Sequence, residues 1–536
     1  MTGTPSSGLD ATIALLQRGI REAINLGSFD LAETLCREGL ALDPGNAHTK
    51  LLLGRVAFIK KDFATARQYL SEALQSLPTD APAWLFLART HVKFKDWTRA
   101  IAAMRSAFAI KPATAAEEAE LGHYCYNNDQ PEDAAECFSR ALEQEPNNAE
   151  LWNDMGSVQL DLGQMRNAER SFDVALSLKP DFAGPLRNLA VVRQWQGRND
   201  DALAYLDQTV TLDPGNAANI QSRGAARLAL GHLTEGWSDY RARFTNPAHK
   251  GWHGGIPKPR WDGVTPLKDK GVLVWSDQGL GDQILAASVL PDVIAAARNV
   301  VFACEPRLIP LIARAFPNVR AVSLMDVPYG RVDLKDVDVQ ASISEIGPAF
   351  RPTMQAFPKH TGYLKANPAK AAALKARYAK LPGAGPIIGI SWYSKSQLAS
   401  ENKSVPLALW GPILQMPGVR FVSLQYGDAA KDAAAYPNIH VDTEIDAVAD
   451  VDAFAAQVAA MDAVVTSSNT TVHMAGALNV PTLCLTPLVE GRPWYWFVGH
   501  DVSPWYPSVR LIWQTQRRTW DDVIARAATA LKDLAC

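Results

Sequence analysis

The stretch AELWNDMGSVQLDLGQMRNAERSFDVALSLKP, residues 149–180, carries the pattern that decides the fold of the first half of this 536-residue chain. Its small residue Gly156, its alanine Ala168, its apolar Phe172 and its closing Pro180 each belong to a column that recurs every 34 residues. The proline column comprises Pro44, Pro78, Pro112, Pro146, Pro180 and Pro214. Four columns held in register over six units indicate an internal repeat rather than chance.

Each unit predicts a pair of antiparallel helices. The small residue lets the two helices approach closely, the alanine seats the neighbouring helix, and the proline ends the second helix. The period and the columns resemble the tetratricopeptide repeat, and we count about seven units over residues 13–244, the last one degenerate, after a flexible N-terminus of residues 1–12. Such repeats present a groove to partner proteins, and the candidate contact residues on the first helices are Asn127, Asn153, Asn188 and Gln221. The alternative is a plain spacer or a dimerisation arm.

The second half changes period. Residues 245–270 are rich in Gly, Pro and Trp and predict a linker, with Trp252 and Trp261 as anchors that pack it onto a domain. From residue 271 onward, short apolar runs alternate with helical stretches, which favours parallel sheets with crossover helices. The predicted strands are 271–275, 299–304 and 319–324, then 386–392, 419–424, 462–466 and 482–486. We therefore predict two doubly wound, Rossmann-like α/β domains, residues 271–380 and 381–536, with a ligand in the cleft at the ends of their strands.

A glycine-containing loop follows the first strand. It is neither the dinucleotide-binding fingerprint nor a Walker A loop, because Ile284 stands at the third glycine position and no GK[ST] follows. One interpretation is a tight turn in which Asp282 caps the next helix. The other is an acceptor-binding loop with Asp277 or Asp282 as general base. On that second interpretation the loop residues are Gly279, Leu280, Gly281 and Gln283.

A second polar segment follows the strand at residues 462–466. Five small polar residues in a row, Ser467 to Thr471, precede a helix whose first turn contains His473. Ordinary N-capping beside a surface histidine is the simpler interpretation. More polar groups are present than one cap requires, so we favour a phosphate site for a nucleotide-sugar. Further candidates for donor contacts stand where the other strands end: Ser391, Trp392, Lys395, Lys403, Ser404, Gln425, Tyr426, Ser468, Asn469, Thr470 and Arg492.

Composition limits the classes of function. Lys+Arg 53 against Asp+Glu 56 gives a net charge of −3, which does not favour bulk attraction to nucleic acid or an anionic membrane. The six cysteines are scattered without a CxxC pair, and the polar first ten residues do not predict a secretory signal, so we expect a cytoplasmic protein. The D-x-D spacings at Asp336–Asp338 and Asp450–Asp452 are weak metal candidates, and we predict neither a metal site nor a cofactor.

The residues of the second half resemble a known family. They are similar to the heptosyltransferase-related GT-B glycosyltransferases, in the bacterial branch fused to tetratricopeptide repeats. The similar stretches are Gly236–Trp237, the loop 278–282, and the segments 389–392, 403–407, 422–425, 469–481 and 503–507. The resemblance implies a metal-independent transferase with the acceptor on the first α/β domain and the nucleotide-linked donor on the second. It implies that Asp282 is the catalytic base and that Lys403 and the segment 468–473 contact the donor phosphate. The family commonly has Asp-Thr where this chain has Asn469–Thr470, which suggests a different, acidic donor.

Within that branch, the chain is most similar to the flagellin glycosyltransferases of stalked alphaproteobacteria. This resemblance implies that the repeats capture flagellin and that a nonulosonic acid of the pseudaminic acid type is transferred from its CMP form onto Ser or Thr. Two alternatives stay open. One is a glycosyltransferase acting on a cell-surface saccharide, with the repeats serving assembly, and the other is a non-enzymatic repeat scaffold.

Overall fold

The computed structural model describes residues 6–245, 255–276, 278–394, 400–489, 492–516 and 519–535. The candidate residues Asp277 and Lys395 and the predicted anchor Trp252 lie outside the described residues. The chain folds as two compact units, Met1–Val192 and Arg193–Cys536. Among the described helices, none has both the length and the apolar character needed to cross a bilayer.

The first unit consists of helices joined by short turns. They are α1 (Ser6–Asn25), α2 (Phe29–Leu42), α3 (Ala47–Ile59), α4 (Phe63–Ser76), α5 (Ala81–Lys93), α6 (Trp97–Ile110), α7 (Ala115–Asn127), α8 (Pro131–Gln144), α9 (Ala149–Asp161), α10 (Met165–Leu178) and α11 (Ala183–Trp195). Each even-numbered helix ends two residues before a proline of the repeat column, as α10 ends at Leu178 before Pro180. The predicted helix pairs are confirmed.

The repeat columns are packing positions. The six column alanines, from Ala32 to Ala202, are all fully buried. Gly156 faces the ring of Phe172 so closely that a Cβ there would lie 2.5 Å from the ring. The small-residue column and the apolar column are therefore the two sides of one helix–helix contact inside a repeat.

The second unit begins with the last helices of the repeat type, α12 (Asn199–Leu212), α13 (Ala217–Ala229) and α14 (Leu233–Tyr240). Trp237 on α14 is fully buried in the same hydrophobic core as the two sheets. Its indole N–H donates to the carbonyl of Arg351 at 3.2 Å, and a Cβ at Gly347 would lie 2.6 Å from its ring. The last repeat is thus an integral part of the α/β unit.

The first sheet has the order β3-β2-β1-β4, and all its pairs are parallel. Its strands are β1 (Gly271–Trp275), β2 (Asn299–Cys304), β3 (Val319–Ser323) and β4 (Val339–Ser342), with helices α15 (Leu280–Ala287), α16 (Leu290–Ala296), α17 (Ile309–Ala315) and α18 (Ile343–Phe350). The first three strands were predicted and are confirmed, whereas β4 was not predicted. The anchor Trp261 is buried, and its backbone N–H donates to Gln340 on β4 at 2.8 Å.

The second sheet has the order β10-β11-β9-β8-β5-β6-β7, in which only the β10–β11 pair is antiparallel among the described strands. Its strands are β5 (Ile387–Ser391), β6 (Arg420–Ser423), β7 (Ile439–His440), β8 (Ala463–Ser467), β9 (Thr482–Thr486), β10 (Val502–Ser503) and β11 (Tyr506–Trp513). The α-helices of this region are α19 (Pro368–Tyr378), α20 (Ser400–Lys403), α21 (Gly411–Leu414), α22 (Val451–Ala459), α23 (Thr470–Ala477) and α24 (Asp521–Ala535). Short 3₁₀ helices cover Arg241–Phe244, Pro306–Leu308, Met354–Ala356, Leu407–Trp410, Asp428–Ala435 and Trp494–Trp496. The predicted strands β5, β6, β8 and β9 are confirmed, and β7, β10 and β11 were missed.

Candidate functional site

A cavity of about 370 Å³ lies where the carboxyl ends of the two sheets meet. Residues that follow β1 form one wall, and residues that follow β5, β6 and β8 form the other. The lining comprises Gly279, Leu280, Gly281, Asp282, Ser394, Lys403, Tyr426, Ser468, Asn469, Thr470, His473 and Tyr495. The position is the one that parallel α/β sheets use for ligands.

The first wall is the start of α15. Gly279 is the N-cap in an extended conformation, and Asp282 lies in the first turn of the helix and lines the cavity. Gly281 lies against α23, because a Cβ there would be 2.7 Å from the imidazole of His473. The glycine at position 281 is therefore what lets the two cavity walls come together.

Gln283 is not among the described residues that line the cavity. Its side chain is buried, its Nε2 donates to the carbonyl of Gln278 at 3.1 Å, and its Oε1 accepts from the N–H of Glu305 at 2.7 Å. Gln283 was predicted as a residue of the acceptor loop, and in the structure its amide holds that loop against the end of β2.

The second wall is the start of α23, which Asn469 caps. Its Oδ1 accepts from the N–H of Thr471 at 2.9 Å, and its Nδ2 donates to Ser391 Oγ at 2.8 Å and to the carbonyl of Tyr393 at 3.1 Å. Ser468 Oγ accepts from the indole N–H of Trp496 at 2.9 Å. An ionised aspartate could cap the helix but could not donate to a carbonyl. The asparagine at position 469 therefore has a local structural reason, separate from the charge of any donor.

His473 is a buried, neutral residue. Its Nδ1 lies 2.9 Å from Tyr506 Oη, its Nε2 lies 3.2 Å from Tyr495 Oη, and its ring stacks on Trp496. Burial and the charge of Lys403 lower the pKa of His473 to about 3. The alternative of a surface histidine is thus wrong, whereas a position of His473 beside a bound phosphate stays a prediction.

Opposite charges face each other across the cavity. Burial lowers the pKa of Lys403, and the carboxylate of Asp282 raises it part of the way back. The same carboxylate adds to the effect of burial in raising the pKa of Tyr495. The first wall thus places a carboxyl group and the second an amine within electrostatic reach of one another.

The structure brings only part of the predicted donor set to the cavity. Of the candidates that it describes, Lys403, Tyr426, Ser468, Asn469, Thr470 and His473 line the cavity, whereas Ser391, Trp392, Ser404, Gln425, Thr471 and Arg492 do not.

Gln425 shows what the residues outside the cavity do. Its Oε1 accepts from the N–H groups of Trp392 and Tyr393 at 2.9 and 2.8 Å, and its Nε2 donates to the carbonyl of Tyr393 at 3.2 Å. Arg492 donates to the carbonyl of Leu488 at 2.8 Å, and burial lowers the pKa of Arg492 to about 10. Both side chains therefore have protein partners away from the described lining of the cavity: Gln425 shapes the loop after β5, and Arg492 holds its own turn. Their contacts with a donor stay predictions.

Ser394 and Tyr495 line the cavity but were not predicted as site residues. Ser394 follows the predicted strand 386–392, and Tyr495 belongs to an aromatic run that is equally typical of a core. The only sequence signal for Ser394 was its position after a strand. Tyr240 was missed as well: its phenol oxygen accepts from Gln278 Nε2 in the glycine loop at 3.0 Å.

The two D-x-D pairs are occupied by protein groups. Asp338 accepts from the N–H of Gly271 at 2.7 Å and from Arg298 at 3.0 Å, at the end of β1 opposite to the cavity. Asp450 caps α22, and Asp452 pairs with Arg314 at 2.6 Å. These carboxylates stabilise the fold.

The predicted groove residues of the first unit lie on its odd-numbered helices. Asn188 Nδ2 donates to Asn153 Oδ1 at 3.1 Å and to Ser157 Oγ at 3.2 Å, which links α11 to α9. Asn127 is exposed and donates to the carbonyl of His123 at 2.7 Å. The contact of these amides with a partner stays a prediction.

Comparison with known proteins gives the family. Protein FlbA of Caulobacter vibrioides is 33% identical over 531 residues, an alignment that covers 89% of this chain and 88% of FlbA. The chain belongs to the FlbA family. In this chain, tetratricopeptide-repeat family models match residues 57–119, and 19–81, 120–181 and 153–217. Repeats of this type are typical of protein–protein interaction.

Two further similarities are shorter. Protein O-mannosyl-transferase TMTC1 of Homo sapiens is 23% identical over 178 residues, which is 32% of this FlbA-family chain and 20% of TMTC1. The crystal structure of YrrB, a TPR protein with an unusual peptide-binding site, is 17% identical with a TM-score of 0.32, and the alignment covers 35% of this chain and 97% of YrrB.

Proposed function

We propose that this chain is a metal-independent glycosyltransferase of the GT-B type that modifies a protein captured by its repeats. The single observation that carries the proposal is the cavity between the two sheets, which pairs Asp282 on one wall with Lys403 on the other. Sugar transfer needs a base beside the acceptor hydroxyl and a positive charge beside the phosphate of the activated sugar, on opposite sides of the reacting carbon. The similarity to TMTC1, whose name describes protein O-mannosyl transfer, agrees with a repeat-bearing protein glycosyltransferase.

The residues of the cavity suit the proposed reaction. The hydroxyl oxygen of the acceptor attacks the anomeric carbon, the bond from that carbon to the phosphate oxygen breaks, and Asp282 takes the hydroxyl proton. Lys403 and the free N–H groups at the start of α23 stabilise the negative charge on the departing phosphate. Ser468 and Thr470 add small polar groups beside that helix start.

The donor and the acceptor are the finer part of the proposal. The donor is a CMP-activated nonulosonic acid of the pseudaminic acid type, and the acceptor is Ser or Thr of flagellin. The motif resemblance supports both assignments. The cation Lys403 and the neutral Asn469 also make the second wall compatible with an acidic sugar.

The test is the intact mass of flagellin from cells with and without this gene. We expect the deletion to remove the mass of a repeated sugar unit, and the wild-type gene to restore it. Asp282→Ala should fail to restore it, because the acceptor hydroxyl then lacks its base. Asp333→Asn is the matched control, because Asp333 is exposed and its carboxylate contacts the backbone N–H and the exposed ammonium of Lys335 in its own turn.

Unchanged flagellin mass would reject flagellin as the acceptor and direct the search to surface saccharides. A loss of mass that Asp282→Ala restores in full would reject the assigned base. A reaction of the purified full-length chain with CMP-linked nonulosonic acid and flagellin tests the transfer directly. The amount of CMP released must equal the amount of sugar added to flagellin.

A further inference from the structure

The last repeat helix, α14, contacts residues next to both walls of the cavity. On the first wall, the phenol oxygen of Tyr240 accepts from Gln278 Nε2 at 3.0 Å, and Gln278 directly precedes Gly279, the N-cap of α15. On the second wall, the ring of Trp494 meets the ring of Tyr240 edge to face, with centroids 5.7 Å apart. Trp494 directly precedes Tyr495, which lines the cavity. One side chain of the last repeat therefore contacts a sequence neighbour of each wall.

The last repeat holds the turn that carries Tyr495 in two further ways. The ring of Trp494 also packs edge to face on Trp237 of α14, with centroids 5.0 Å apart. The N–H of Val498 donates at 2.7 Å to the carbonyl of Ala229, the last residue of α13. Carbonyl groups at the end of a helix have no partner within the helix, so this bond satisfies one of them.

The same turn contains a residue with a strained backbone. Phe497 has a φ of +52° and a ψ of 123°, a conformation that residues other than glycine rarely adopt. Such a conformation costs free energy and persists only where the surroundings enforce it. The ring of Phe497 is buried, and the next residue, Val498, is the one that bonds to α13. The repeat is therefore part of what enforces the conformation of this turn.

Gln278 on the first wall is held from two directions. Its side chain reaches Tyr240 on α14, whereas its carbonyl accepts from Gln283 Nε2 on α15 at 3.1 Å. Gln283 Oε1 in turn accepts from the N–H of Glu305 after β2 at 2.7 Å. One anchor thus lies inside the first α/β domain, and the other comes from the last repeat. Asp282 lies between Gln278 and Gln283 in the sequence, so the two anchors fix the start of the helix that carries this carboxylate.

We propose that Tyr240 is a positioning residue that holds the two walls of the cavity at a fixed distance, with Asp282 and Lys403 on opposite sides. The catalytic part of this assignment rests on the function proposed above. Proton transfer requires the base within hydrogen-bond reach of the reacting hydroxyl, so a small displacement of one wall lowers the rate. Tyr240 is not among the described residues that line the cavity, so its phenol oxygen acts through Gln278.

The first test follows hydrogen exchange by mass spectrometry in the full chain without any substrate. Tyr240→Phe keeps the ring against Trp494 and removes only the acceptor of the Gln278 amide. We expect peptides from the start of α15 to exchange about 2- to 10-fold faster, the range that one hydrogen bond accounts for.

Tyr378→Phe is the matched control for this exchange experiment. Tyr378 is also a buried phenol of the second unit, but it bonds to Asp442 and Gln457. In the control variant, the start of α15 should exchange as in the wild-type protein. Unchanged exchange at α15 in Tyr240→Phe, or equal acceleration in both variants, would overturn the proposal.

The second test is kinetic and uses CMP-linked nonulosonic acid with flagellin. Tyr240→Phe should lower kcat about tenfold and leave the KM for both substrates unchanged, because the groups that bind them stay in place. Tyr378→Phe should keep the wild-type kcat. A rise in either KM with an unchanged kcat would overturn the positioning role.

Gln278→Met shows whether Tyr240 acts through the glycine loop. The double variant with Tyr240→Phe should be no slower than the slower single variant, because both changes break the same hydrogen bond. General loss of folded protein would instead make the double variant slower than either, and that result would contradict the assignment. If the wild-type protein transfers no sugar, the proposed function fails, and the exchange data alone decide whether Tyr240 holds the first wall.

Discussion

Gly281→Ala should separate the two walls of the cavity. The new Cβ would lie 2.7 Å from Cδ2 of His473, well inside van der Waals contact. The ring has little room to move, because each of its nitrogens bonds to a phenol and its face stacks on Trp496. Overpacking of this kind costs about 1–3 kcal/mol, and replacing glycine by alanine in a helix returns up to about 1 kcal/mol. We therefore expect a net loss of about 1–2 kcal/mol in local stability.

Gly279→Ala is the matched control two residues earlier in the same loop. The nearest atom to a Cβ at Gly279 is Asp282 Oδ2 at 3.5 Å, and the backbone there is extended, so alanine fits. Hydrogen exchange followed by mass spectrometry on the full chain resolves peptides from α15 and α23. A loss of 1–2 kcal/mol predicts about 5- to 30-fold faster exchange in both helices for Gly281→Ala alone. Equal protection in the two variants would refute the close contact.

Three further predictions concern other parts of the molecule. Gly156→Ala in α9 should destabilise the first unit by about 1–2 kcal/mol through overpacking. Gly19→Ala in α1 should instead stabilise it by about 0.5–1 kcal/mol, because the nearest atom to the new Cβ lies at an ordinary 3.4 Å. Hydrogen exchange measured in α1 and α9 compares the two variants. Lys403→Met should abolish sugar transfer yet raise the melting temperature. Burial lowers the pKa of this lysine in the folded state, so the stability of the wild-type protein falls as pH drops through that pKa. The variant should lose this pH dependence of the melting temperature. Asn469→Asp should become more destabilising as pH rises, because only the protonated carboxyl can donate to the carbonyl of Tyr393; a melting temperature that does not depend on pH relative to wild type would count against this bond.

Sequence periodicity predicted the repeat region in detail because one physical contact produces each column. The pairing of Gly156 with Phe172 recurs as Gly122 with Phe138, so a mutation in either column disturbs the same interface. Parallel strands such as β5 and β9 were predictable as well, since every residue in them is buried and the apolar run is continuous.

The missed strands lack that signal. Along β11, buried and solvent-facing residues interleave, and the strand contains Pro507 and Arg510, so it shows neither a continuous apolar run nor a simple alternation. Strand β7 has only two residues. Their place in the sheet depends on pairing with neighbours distant in the sequence, which local pattern does not encode.

The candidate site, too, was predictable from the sequence only in part. The position of a polar residue after a strand predicted that Asp282, Lys403 and Ser468 would come together. The direction of a side chain was not predictable, because it depends on a partner elsewhere in the chain. Gln283 and Gln425 have the same chemistry as a ligand-binding amide, but backbone groups of other segments use them.

The buried contact of Trp237 with Gly347 bears on how such a fusion can be taken apart or rearranged. The repeat array ends in sequence near residue 244, but the boundary between the two compact units lies at Val192–Arg193. A fragment starting at residue 245 would lose Trp237 from its core and Tyr240 from the glycine loop. Exchange of the array between relatives, in the laboratory or in evolution, is therefore compatible with an intact cavity only when α13 and α14 stay with the sheets.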